Sequence, residues 1–361
     1  MTKARNHLFL ILLCVLIIGC NDNQKNANNN TTTTSTTEEI KDPEEKKFVE
    51  PKKHFQLAFG SCNKHSRKQV LWDDVTSLNP EAWIWLGDII YGDTDDMQTL
   101  QKKYAQQLYS IPYQRMKKYV DIYGIWDDHD YGQNDAGADY KMKKESRDIL
   151  FSFLELPKSN QAWQREGAYQ SHVFNALDFK LKLILLDSRY FREQPTKNGK
   201  TYTKEYGPDI LGEEQWDWLA KELNDPSVEF FIIGNGIQVI SEEHNFEKWA
   251  NFPSSRDRLF ELIQNTENGK VILLSGDRHI SELSAIQLDG LDYPLYDLTS
   301  SGLTHPWKNF PGEENQHRIG DVINKKNFGI LHFSRNEENQ IKVNYQIWGD
   351  QLEKMQELEL F

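Results

Sequence analysis

At 361 residues, 38% of them hydrophobic and 27% charged, the chain can bury a full core as one large domain or two small ones, which excludes an overall disordered protein. Its formal charge of −13 opposes contact with DNA and other long polyanions unless cations mediate it, so no nucleic-acid binding is expected.

Lys3 and Arg5 precede an apolar run over residues 8–18. That run is well short of the about 20 residues a spanning helix needs, and it suits the hydrophobic region of a signal peptide. It closes on Leu16-Ile17-Ile18-Gly19-Cys20, which resembles the lipobox of bacterial lipoproteins. Residues 1–19 are then expected to be a lipoprotein signal peptide, with Cys20 lipidated and tied to a membrane; an ordinary signal peptide with an incidental cysteine is the alternative. Residues 20–50 read as a flexible tether, because the Asn/Thr tract at 21–37 has almost nothing to bury. The expected location is the bacterial cell envelope, on the periplasmic or cell-surface side. Of three cysteines, only Cys62 falls in the expected folded domain, 51–361, so no intrachain disulfide is expected there. A lone thiol in an exported protein is either buried and inert or has a ligand or catalytic role.

Six apolar segments share one habit. Residues 55–59 run into Gly60-Ser61-Cys62, 82–86 into Gly87-Asp88, and 120–126 into Asp127-Asp128-His129. Residues 181–186 run into Asp187-Ser188-Arg189, 230–233 into Gly234-Asn235, and 271–274 into Ser275-Gly276-Asp277-Arg278-His279. Short apolar runs bounded by glycine and polar residues read as buried strands. Helical patterns at 68–77, 97–108, 141–154, 213–223 and 255–264 lie between most of them, which gives α/β alternation. Residues 296–301, 328–333 and 341–348 read as later strands expected to extend a second sheet.

Ligand sites in such sheets collect at the carboxyl ends of the strands, and here those ends carry Cys, Asp, Tyr, His and Asn repeatedly. The densest stretch, Trp126 to Asp135, packs four aspartates around one histidine, and close carboxylates need water, cationic partners or metal ions. If the strand persists, Asp127 and Asp128 point to opposite faces, so only one of them is expected to be a direct metal ligand. Asp88-x-x-Tyr91 sets a carboxylate and a phenol on one loop, and a phenolate or thiolate ligand favours a ferric ion; packing is the plainer role for Tyr91. Asp277-x-His279 offers two further ligands, and Asn235 a neutral oxygen. Arg189 and Arg192 suit bidentate binding of an anion or, equally, salt bridges. Trp83, Trp85, Trp126, Trp163, Trp249 and Trp307 read as core before substrate platform.

In order along residues 54–305, six motifs resemble those of the alkaline phosphatase D family of metallophosphatases. They are Gly60-Ser61-Cys62, Gly87-Asp88-Ile89-Ile90-Tyr91, Trp126-Asp127-Asp128-His129-Asp130, Leu186-Asp187-Ser188-Arg189, Trp249 with Phe252-Pro253 and Arg256, and Ser275-Gly276-Asp277-Arg278-His279. The resemblance implies an α/β metallophosphatase-type four-layer sandwich, two mixed β-sheets flanked by helices. It implies that Asp88 bridges metals, that Tyr91 and Cys62 bind a ferric ion, and that Asp128 stands where relatives place Asn before His. It further implies that His129 contacts the substrate phosphate and that Asp277 and His279 are the final ligand pair. The continuation DDHDYGQND departs from the more usual DDHE and leaves Asp130, Asn134 and Asp135 without assigned roles.

The expected chemistry is hydrolysis of a phosphate ester, monoester or diester, by a metal-bound hydroxide. His129, Asp88 and Arg189 are the expected catalytic groups. Cys62, Asp88, Tyr91, Asp127, Asp128, Asn235, Asp277 and His279 are the expected metal ligands, for Fe3+ together with Ca2+ or another divalent ion. A monomer is expected. The rival reading is a non-catalytic calcium-binding cell-surface lipoprotein, which the soft ligands Cys62, His129 and His279 disfavour. Ser61 and Ser275 lack the G-x-S-x-G elbow of a serine nucleophile.

Overall fold

The computed structural model describes residues 53–361, which lie in one compact unit, Glu50–Phe361. The signal peptide, the lipidated Cys20 and the tether expected over residues 1–50 fall outside the described residues. In chain order the strands are β1 (His54–Gly60), β2 (Ala82–Leu86), β3 (Asp121–Ile125), β4 (Gln170–Ala176), β5 (Phe179–Leu185), β6 (Lys197–Asn198), β7 (Thr201–Tyr202) and β8 (Phe230–Gly234). They continue as β9 (Lys270–Ser275), β10 (Ser281–Ile286), β11 (Leu295–Ser300), β12 (Arg318–Ile323), β13 (Phe328–Arg335), β14 (Ile341–Trp348) and β15 (Lys354–Glu359). The helices are α1 (Trp72–Leu78), α2 (Met97–Leu108), α3 (Ile111–Met116), α4 (Asp128–Tyr131), α5 (Lys143–Phe153), α6 (Glu213–Leu223) and α7 (Pro253–Gln264).

Two mixed sheets result. The first runs β15-β14-β13-β1-β2-β3, with β1, β2 and β3 parallel, and the second runs β12-β10-β11-β9-β8-β5-β4, with β5, β8, β9 and β11 parallel. The unbroken apolar runs have a direct cause in β8. Phe230 and Ile232 point into the core between the sheets, while Phe231 and Ile233 point into a second core that also holds Trp216 and Leu219 of α6 and Leu259 and Ile263 of α7. A strand buried on both faces loses the polar half of its alternation.

Phe333 of β13 meets Phe55 of β1 at 6.2 Å and Phe230 of the second sheet at 5.3 Å, so the sheets stack face to face. On the outer face of the first sheet, Trp83 and Trp85 of β2 stand two residues apart on one side and pack edge-on against Trp72 of α1, 4.9 and 5.3 Å away. Tyr113 of α3 closes that cluster at 5.1 Å from Trp72. Each buried aromatic of this kind contributes roughly 1.5–3 kcal/mol through removal from water. Helices outside two sheets make four layers, as the motif resemblance implied.

The late strands correct one expectation. β11 joins the second sheet, but β13 and β14 complete the first, with β13 antiparallel to β1 and Gly329 opposite Phe59. A Cβ at position 329 would lie 2.5 Å from the Phe59 ring, so this register requires the glycine. No helix among the described residues is long and apolar enough to cross a membrane.

Candidate metal centre

The parallel strands of both sheets deliver their carboxyl ends to one place. Cys62, Asp88 and His279 each offer a ligand atom within 4.8 Å of the others, as do Asp88, Asp128 and His129, and again Asp127, Asp128 and Asp277. Asp88 and Asp128 each belong to two of these groups, so the three run together as a chain. Tyr91 joins the first: its hydroxyl donates to Asp88 Oδ2 at 3.0 Å and lies 3.5 Å from His279 Nε2.

Sharp turns make this convergence possible. Cys62, Asp88, Asp277 and His279 all adopt the left-handed backbone region, with φ of 57°, 51°, 63° and 56°. Non-glycine residues rarely hold that conformation, and it reverses the chain as it leaves the strand so that the side chain faces back over the sheet ends. Glycine is used where the ligands need room. A Cβ on Gly87 would fall 2.2 Å from the Asp127 Cβ, and one on Gly236 would fall 2.2 Å from Asp127 Oδ1.

Asp127 and Asp128 do not alternate across a strand. β3 ends at Ile125 and α4 begins at Asp128, so both carboxylates fall in one ligand group with Asp277. The expectation that only one faces the cluster fails because the extended backbone stops two residues too early. Asp130, left unassigned by the sequence, holds this turn in place. Its buried carboxylate accepts from the backbone N–H of Asp127 (2.7 Å), Asp88 (3.2 Å) and Ile89 (3.0 Å), which locks the two acidic loops together.

The electrostatics point to missing positive charge. Burial, and then the Asp128 carboxylate, hold Asp88 well above the ordinary carboxylate range. Burial does the same to Asp127 despite Arg189, and burial with Asp128 raises Asp277. Burial also raises the Cys62 thiol and the Tyr91 phenol, with Asp88 adding to both. Asp88 Oδ1 and Asp127 Oδ2 are buried with no hydrogen-bond partner among the described residues. Carboxylates, a thiol, a phenol and imidazoles with unsatisfied oxygens fit a group of cations, which would reverse each of these shifts.

Arg189 lies under this cluster. It is fully buried, with Nε 2.6 Å from Asp127 Oδ1 and Nη1 2.5 Å from Glu247 Oε2, and Arg192 pairs with the other oxygen of Glu247. Neither arginine lines the cleft. Asn235 is buried at the end of β8, where its Oδ1 accepts from Trp249 Nε1 (2.9 Å) and the Ile237 N–H (3.3 Å). Glu247 comes from a segment with no regular sequence pattern and no signal there links it to the site, whereas Trp249 belongs to the motif with Phe252-Pro253 and Arg256.

Above the cluster opens a cleft of about 540 Å³ whose walls include Asp128, His129, Asp277, His279, Lys197 and Trp307. His129 Nδ1 is 2.6 Å from Asp93 Oδ1, and its ring lies tilted against that of Tyr91, 4.1 Å away. Burial opposes protonation of His129, yet the Asp93 hydrogen bond and the carboxylates of Asp88 and Asp128 lift its pKa to about 10. Nε2 is the nitrogen left for chemistry. Trp83, Trp85, Trp126 and Trp249 are core, as their sequence context indicated, whereas Trp307 reaches the cleft.

Two stacked mixed sheets with such a cluster at their strand ends define a metallophosphatase-type protein. The family model for PhoD-like phosphatases matches residues 57–304, and the chain belongs to that family. It is 22% identical over 190 residues to alkaline phosphatase D of Bacillus subtilis (strain 168), a match covering 45% of this chain and 32% of that one. The chain thus spans about a third of the length of the curated relative it matches. Among solved structures, that of PhoD superposes with a TM-score of 0.67 at 14% identity, over 86% of this chain and 72% of the other. GAP50, described as the anchor in the inner membrane complex of Plasmodium, gives 0.54 at 12% identity over 86% and 89%. At these identities the two share the fold.

Proposed function

We propose that the protein hydrolyses phosphoric esters with the help of bound cations. The observation that carries this reading is the linked trio of ligand groups, sharing Asp88 and Asp128, on the floor of a cleft whose wall holds His129. Cys62, Asp88, Tyr91 and His279 would hold a ferric ion, for which thiolate and phenolate donors are suited. Asp127, Asp128 and Asp277 form an all-carboxylate set suited to Ca2+ or another hard divalent ion. Asn235 would complete the set by turning its amide oxygen from Trp249. When bound, the cations would lower the pKa of water and offset charge on the phosphoryl oxygens.

The chain's own groups supply the rest. Asp88 and Asp128, each shared by two ligand groups, would hold neighbouring cations, and Asp130 fixes the loops of Asp88 and Asp127. His129, oriented through Nδ1 by Asp93, presents Nε2 to the leaving oxygen of the ester and donates a proton to it. Arg189 acts from beneath by holding Asp127, so we assign it to positioning rather than to the phosphate. The non-catalytic calcium-binding lipoprotein remains the contrasting reading, and the thiol and imidazoles among the ligands weigh against it. The proposal extends to residues 1–19 as a lipoprotein signal peptide, 20–50 as tether and 51–361 as catalytic domain. The motif at Cys20 supports anchoring at the bacterial envelope, and the proposed state there is a monomer.

The test is hydrolysis of an aryl phosphomonoester and an aryl phosphodiester, before chelation, after it, and after cations are returned. Turnover lost on chelation and restored by metal supports the reading; no turnover of either ester in any state overturns it.

A further inference from the structure

A second groove, of about 700 Å³, runs beside the cleft and shares His305 and Trp307 with it. Arg67, Lys68, Lys308 and Lys326 line this groove, and no carboxylate does. None of the four makes an ion pair among the described residues; the Lys326 ammonium reaches only the Lys68 carbonyl, at 3.5 Å. Lys64 extends the same positive wall toward the cluster, its ammonium 5.6 Å from the centre of the Tyr91 ring. In a chain of net charge −13, four uncompensated cations in one groove repel one another, and an anion would relieve that repulsion.

The groove is built into the metal centre. Thr304 Oγ1 accepts from the Lys64 N–H at 2.7 Å and donates to the Cys62 carbonyl at 3.3 Å. The Trp307 N–H donates to the carbonyl of His279 at 2.7 Å, and Asn324 Nδ2 donates to that of Lys308 at 3.0 Å. The loop over residues 304–307 is therefore fastened to two of the candidate ligands, Cys62 and His279, and to the loop that carries Lys64. His305 marks the join, with its ring 4.8 Å from Tyr91 and 4.4 Å from His279.

We propose that this groove binds a second anionic group of the substrate, so that the preferred esters carry at least two phosphates, one over the cation cluster and one among Arg67, Lys68, Lys308 and Lys326. This inference rests on the phosphoric ester hydrolase reading and specifies the substrate class for it. Trp307 and Pro306 offer an apolar strip between the two positions for the carbon chain joining them. The four cations make this groove locally positive in a chain of net charge −13.

The test compares phosphate release from n-alkyl monophosphates and from α,ω-alkanediol bisphosphates of matched length, in the wild type and in Lys308→Ala/Lys326→Ala. The wild type should favour bisphosphates of the fitting length by about tenfold in kcat/KM, mainly through KM. The double variant should lose that preference while its kcat/KM for monophosphates stays within about twofold of wild type. Hydrolysis of monophosphates with no preference for bisphosphates, or turnover of an aryl phosphodiester with neither alkyl ester hydrolysed, overturns the inference alone; hydrolysis of none of the three overturns the underlying reading with it. An equal fall for both esters means a general field and also overturns it. A variant that resists inhibition by inorganic phosphate yet keeps the bisphosphate preference shows a site for free phosphate, which again contradicts it.

Discussion

Arg189 Nε stands 2.6 Å from Asp127 Oδ1, with both side chains removed from solvent, and so ties the loop after β5 in the second sheet to the loop after β3 in the first. The candidate centre straddles that junction. Removing one partner of a buried pair leaves an uncompensated charge, so Arg189→Ala should cost about 3–5 kcal/mol of stability in chelated protein. Added cations should recover part of that loss by taking over the Asp127 carboxylate. Thermal unfolding with and without metal measures both effects, and an unchanged midpoint in the chelated variant would rule out the tie.

His129→Ala should lower kcat by about 10²–10⁴ with a poorly basic leaving group affected least, because only a basic leaving oxygen needs the proton. Asp93→Asn keeps the ring but weakens its orientation, and should cost about tenfold. Steady-state kinetics on esters of graded leaving-group basicity separates the two, and equal losses across the series would remove His129 from the proton-donor role.

Tyr91→Phe and Cys62→Ser each delete one iron-favouring donor, a phenolate or a thiolate, from the Asp88–His279 group while leaving the carboxylate group with Asp127 and Asp277 whole. Iron content should fall at least about tenfold in both, with calcium content held. Elemental analysis of the purified variants reads this directly; parallel loss of both metals would show that the two ligand groups are not chemically distinct.

His172 lies on β4, with its ring tilted against Tyr123 at 4.3 Å and bonded to Gln170 at 3.0 Å, away from the cluster. Burial lowers its pKa from 6.5 to about 4. The unfolded chain therefore binds more protons between these values, and stability should fall as pH drops from 6.5 through 4, by up to about 3 kcal/mol from this group. His172→Gln should flatten that part of the curve in unfolding measurements from pH 4 to 7. An unaltered slope would assign the acid sensitivity elsewhere.

Strands that end in Gly-Asp or Gly-Ser-Cys were legible because two buried faces leave a plain apolar run, and β2, α2 and α6 fall at their expected bounds. β12 and β15 were not, since they lie at sheet edges and carry polar, exposed residues such as Asp321, Lys354 and Glu357. The sequence brought together Cys62, Asp88, Tyr91, Asp128, Asp277 and His279 by motif, but it could not show their left-handed turns, which use residues that seldom adopt them. Nor could it show that Arg189 faces Asp127 and Glu247 instead of the cleft. Burial and ion pairing decide that, and both depend on a loop far along the chain.

The most direct measurement is metal content by mass spectrometry on residues 38–361 purified without chelators, beside ester hydrolysis by the same sample. Iron near one per chain together with calcium or another divalent ion, and turnover that follows metal content through chelation and reloading, is the predicted result. Calcium alone with no turnover, or turnover that persists when no metal is left, would contradict a cation cluster built on Asp88 and Asp128 as the seat of catalysis.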